Sequence, residues 1–216
     1  MIHLIEKIAK VTTILICPFL AYGFGMSLFQ AVSLNVVPHS LPGFLVGFVS
    51  FALIWRAFRR HLSVVCTFEH EITHVLFGLM FLKVPRSFVV TRHEGGHVTM
   101  TGGNFLITLA PYFFPTVSYV LLPLSFLFTP KYLPLFFGVL GASVAFHIAS
   151  TWAEIHWQQT DLHEAGIAFS LLFLPVANLI FYGALMAVIF GGREGFFKFW
   201  VYGFQESFLL IEVIFR

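Results

Sequence analysis

Residues 62–84 read LSVVCTFEHEITHVLFGLMFLKV. This stretch decides the fold, because it is apolar over the length of a membrane span and yet holds Glu69, His70, Glu71 and His74 near its centre. A spanning helix needs about 20 mostly apolar residues. A charged group inside one is costly and marks function by default. His70 and His74 stand one helical turn apart, so on a helix they stack on one face and can grip one metal ion.

The remainder of the chain has the same character. Of its 216 residues, 58% are hydrophobic and 10% charged, against about 25% charged in a soluble domain. Mean hydropathy is +0.90. These values exclude a soluble globular domain, a disordered chain and a nucleic-acid binder with a basic face. The net charge of +2 calls for no polyanionic partner. Cys17 and Cys66 lie in apolar runs and form neither a disulfide framework nor a cysteine metal knuckle.

Apolar runs at 11–34, 41–58, 62–84, 104–128, 132–155 and 166–190 predict an all-α polytopic, multi-pass integral membrane protein with about six transmembrane helices. Lys7 and Lys10 precede the first run and no small-residue cleavage site follows it, which predicts an anchor. The second run is predicted to end at Arg56, Arg59 and Arg60. The stretch 85–103 alternates apolar and polar around Gly95-Gly96 and predicts a short re-entrant β-hairpin. Pro111, Pro115 and Pro123 interrupt the fourth run. In the tail 193–216, Glu194, Lys198, Gln205 and Glu212 share one stripe, which predicts a C-terminal amphipathic helix lying on the membrane surface. With no repeat or linker, 1–216 reads as one domain with its core at roughly 62–190. Six spans would group nine of the 12 Lys and Arg with the N-terminus, which then faces inside.

His70-Glu71-Ile72-Thr73-His74 is the His-Glu-x-x-His pattern of zinc hydrolases, with Glu71 placed to reach a metal-bound water. A second copy, His93-Glu94-Gly95-Gly96-His97, contains two glycines that break a helix. It reads as the turn of the hairpin, with His93 and His97 lining the site or touching substrate. A hydrolytic zinc site takes three protein ligands and a water. Asp161, the sole aspartate, is one candidate for the third ligand. It emerges at the same face as residue 84 if the intervening spans alternate. His147, mid-span in the fifth run, is the rival as ligand or as supporting partner. His156, His163 and Glu164 lie near Asp161.

The order of these features resembles the M50 clan of site-2 intramembrane zinc metalloproteases, closest to its M50B-like branch. His70 to His74 matches the zinc motif. His93 to Gly103 is similar to the glycine-punctuated hairpin downstream of it. Asn104 to Pro115 resembles the following helix, with Asn104 available to the site. Gln159-Thr160-Asp161-Leu162 is similar to the segment that supplies the third ligand. The resemblance implies one Zn2+ per chain held by His70, His74 and Asp161, with Glu71 as general base in peptide hydrolysis. It implies a transmembrane protein as substrate and the lipid bilayer as surroundings. A homo-oligomer or a regulatory membrane partner stays open. It also implies a cytoplasmic catalytic face, opposite to the face that the charge count gives. The alternatives are a membrane di-iron desaturase or hydroxylase, which would use His-His pairs that this chain lacks, and a non-catalytic metal-binding membrane protein.

Overall fold

The computed structural model describes residues 2–33, 38–91, 95–129, 131–155 and 159–216. In chain order these form α1 (Ile2–Ser33), α2 (Ser40–Met80), the antiparallel hairpin β1 (Pro85–Val90) and β2 (Gly96–Met100), α3 (Phe105–Leu109), α4 (Thr116–Leu121), α5 (Leu133–Glu154), α6 (Thr160–Ala165) and α7 (Ile167–Phe215). Four helices, α1, α2, α5 and α7, are long and apolar enough to cross a membrane. The number is five if the bent pair Phe105–Tyr112 and Thr116–Ser125 counts as one crossing.

The expected break after residue 58 is absent. Residues 41–58 and most of 62–84 lie on one helix of 41 residues. No glycine or proline occurs between Phe48 and Gly78, and arginine is a good helix former, so nothing stops the helix there. At about 1.5 Å per residue, α2 is roughly twice as long as a bilayer's hydrocarbon core is thick. Its first half packs in parallel on α5 along a glycine seam. A Cβ on Gly47 would collide with the Gly138 carbonyl oxygen, and one on Gly43 with that of Pro134. Small residues let helix backbones approach this closely.

The tail also departs from expectation. α7 reverses at Gly192, whose φ of 60° is a conformation that glycine alone adopts freely. Past the reversal, Gly195 lies against Ala187 and Phe199 against Gly183. On a straight helix, residues 183 and 199 would be about 24 Å apart. The tail is therefore a packed helix instead of a surface one. Phe199, Gly203 and Ser207 recur every fourth residue and bury against Gly23, Phe24 and Ser27 of α1. The Ser27 hydroxyl donates to the Phe199 carbonyl at 2.9 Å. The exposed tail charges pair along their own helix, Lys198 with Glu194 and Arg216 with Glu212.

The fourth run is broken as its prolines suggest. Its two segments meet at 87°. Pro111 sits in a tight 3-10 turn and Pro115 directly precedes α4. Proline lacks the N–H a helix needs, and its ring crowds the preceding turn.

One consequence concerns the two ends of the bundle. Lys10 lies over the Phe169 ring at 5.8 Å, so the N-terminus shares an end with α6 and the start of α7. Lys131 and Arg193 stand at the other end, at the start of α5 and at the α7 reversal. The grouping of Lys7 and Lys10 with Lys131 and Arg193 thus fails, because two expected spans are one helix.

Candidate metal centre

His70, Glu71 and His74 are buried on the second half of α2. Their helical spacing brings the two imidazoles together with ring centroids 4.9 Å apart and Nε2 atoms 3.2 Å apart. Asp161, in the first turn of α6, meets them from the opposite side. Its Oδ2 lies 3.1 Å from His70 Nε2 and 3.4 Å from His74 Nε2. Of the two third-ligand candidates, the structure brings in Asp161. His147 is buried elsewhere, its Nδ1 sharing a 2.5 Å hydrogen bond with the Tyr182 hydroxyl.

The far side of each ligand is held as well. The Glu154 carboxylate, at the end of α5, accepts from His70 Nδ1 at 2.5 Å. The Ile107 carbonyl of α3 accepts from His74 Nδ1 at 2.8 Å. That carbonyl also accepts the Ala110 N–H, and Pro111, four residues on, has no N–H to compete for its second lone pair. The Tyr112 hydroxyl donates to Asp161 Oδ2 at 2.9 Å, and its ring stands edge-on to His70 at 5.3 Å. A proton fixed on each Nδ1 leaves both Nε2 atoms bare, the tautomer a metal-binding histidine takes.

The donor set fits a metal ion. Two bare nitrogens facing one carboxylate oxygen would repel without a cation among them. His70, His74 and Asp161 each offer one ligand atom, all within 4.8 Å of one another. Tetrahedral zinc, with bonds of about 2.0–2.1 Å, separates its ligands by about 3.3 Å, and the distances here are 3.1–3.4 Å.

A cavity of about 410 Å³ opens onto these groups. Glu71 lines it beside the histidines, with His97 and Met100 on the β2 side and Gln159 and Glu164 on the α6 side. β2 passes close over Glu71 at Gly96. His97 is exposed on β2 and paired with Val89. His93 lies outside the described residues. Asn104 acts as the N-cap of α3, its Oδ1 accepting the Ile107 N–H at 3.0 Å. It thereby satisfies a helix-start donor, a role worth about 1 kcal/mol.

Sequence reasoning missed Glu154, Tyr112 and the Ile107 carbonyl. Glu154 had a signal, as an acid ending an apolar run. Tyr112 and a backbone carbonyl had none. Comparison with family models, curated proteins and solved structures finds no match to this chain.

Proposed function

We propose that this chain is an integral membrane zinc metalloprotease that hydrolyses peptide bonds of membrane-embedded or membrane-proximal substrates. The observation that carries the reading is the convergence of two bare imidazole nitrogens and the Asp161 carboxylate in one cavity with Glu71. His70, His74 and Asp161 would hold the zinc, which when bound would supply a water acidified toward a pKa of about 7 and Lewis-acid polarisation of the scissile carbonyl. Glu71 takes the proton from the attacking water and hands it to the leaving amine. Glu154, Ile107 and Tyr112 keep the three ligand atoms aimed at one point. The exposed edge of the hairpin can pair with a substrate unwound to an extended strand.

The polar, glycine-edged cavity suits an extended peptide better than an acyl chain. No second metal-ligand group occurs among the described residues, which disfavours the di-iron reading. The merging of two expected spans also changes which basic residues share an end. Lys7, Lys10, Lys83 and Arg86 belong to the end that carries the metal site, and Lys131, Arg193 and Lys198 to the other. On this split the positive-inside rule supports a cytoplasmic catalytic end by a small margin.

Single-span peptides incubated with the purified protein test the reading. Chelation should abolish cleavage and added zinc should restore it. Cleavage indifferent to chelation, or none by zinc-loaded protein on any peptide of a broad panel, counts against it.

A further inference from the structure

The unbroken α2 raises a question that a loop after residue 58 would have answered. Arg56, Arg59 and Arg60 sit in mid-helix at i, i+3 and i+4, so they share one face. All three are exposed, as is His61. Among the described residues none of the three arginines forms an ion pair. Exposed Leu53, Ile54 and Phe58 precede or accompany them, and exposed Val65 and Phe68 follow. Arginine is expensive in hydrocarbon and extends its side chain to reach the polar boundary.

On an apolar helix face these charges call for an anionic counterpart, and the described residues do not supply it. Glu6, Glu194 and Glu212 pair with their own i+4 neighbours. Glu69 and Glu71 are buried, and Glu154 and Asp161 are held in the metal centre. Glu164 lines the metal cavity. Glu206 is a single partly exposed carboxylate on the tail helix, so a second copy offers no clustered acidic patch among the described residues.

We infer that Arg56, Arg59 and Arg60 bind the phosphate headgroups of anionic phospholipid and pin the bilayer boundary to the middle of α2. The apolar residues on either side take the acyl chains and the packed protein edge. His70 follows Arg60 by ten residues on the same helix, about 15 Å of rise, so the headgroup layer and the metal site are mechanically linked. A leaflet rich in anionic lipid draws basic groups to its surface, in keeping with a cytoplasmic position of the metal end. The inference does not depend on catalysis.

Native mass spectrometry of the detergent-purified full chain, with equal phosphatidylglycerol and phosphatidylcholine, tests it. One arginine near an anionic surface is worth roughly fivefold in binding. The wild type should retain phosphatidylglycerol at least fivefold over phosphatidylcholine. The triple variant R56Q/R59Q/R60Q should lose that preference, and K131Q/R193Q should keep it. If the triple variant does not fold, the single Gln variants should each lower the ratio, and R56K/R59K/R60K should preserve most of it. Equal retention of the two lipids by the wild type, or a preference unchanged by the Gln variants, overturns the inference. A wild-type dimer dissolved by the triple variant, without lipid preference, assigns the face to a second copy and also overturns it.

Discussion

His-Glu-x-x-His is written twice in this chain, and the two copies sit on different backbones. His70 to His74 lie on α2, where the helical turn stacks both imidazoles and their Nε2 atoms come within 3.2 Å. In the copy at 93–97, Gly95 has a φ of 78° and Gly96 opens strand β2. His97 is exposed there and lines the same cavity as the first copy. A metal motif is thus a statement about geometry. Among the described residues the first copy pairs two imidazoles on a helix, the second puts His97 on a hairpin strand, and Gly95 and Gly96 set the two apart.

The sharpest way to break this comparison is to remove each copy's glutamate. Glu71→Gln should keep zinc and fold but lower peptide cleavage by roughly a hundred- to ten-thousand-fold, the usual worth of a positioned base. Glu94→Gln should leave turnover near the wild-type level. Equal losses from the two variants would erase the distinction.

The third ligand comes next in size. Asp161→Asn should weaken zinc by more than the roughly 10–100-fold that loss of a supporting partner costs. His147→Ala should leave zinc affinity in place, since its ring is engaged with Tyr182. Competition titration with a chromophoric chelator reads both. Metal lost in the His147 variant and kept in the Asp161 variant would reduce Asp161 to the first turn of a helix.

The smallest effect belongs to the support of the helical copy. Glu154→Gln keeps an acceptor near His70 Nδ1 but removes its charge, and should cost about 10–100-fold in zinc affinity. The same titration on His97→Ala should show no change, because among the described residues nothing comparable backs that residue.

Much of the site was legible because its signal is local. Charges in an apolar run, a four-residue spacing and two adjacent glycines are all read within a few positions. Asp161 was reachable as the sole aspartate, although its rival could be set aside only once α6 was seen folding onto α2. The number of crossings was not legible. Arg56 to Arg60 read equally as a loop or as a helix lodged at a boundary, and only the packing of α2 on α5 separates the two. The tail was misjudged because its exposed charges stand out, whereas the stripe of Phe199, Gly203 and Ser207 acquires meaning only against Gly23 and Ser27 of α1. Partners such as Glu154, about 84 residues from His70 in sequence, leave no local trace at all.

Zinc content measured on three purified proteins tests the central claim most directly. The wild type should carry about one zinc per chain, as a three-ligand site requires. H93A/H97A should carry the same, and H70A/H74A should carry none while remaining folded by circular dichroism. Zinc retained in H70A/H74A, or lost from a folded H93A/H97A, would contradict the account.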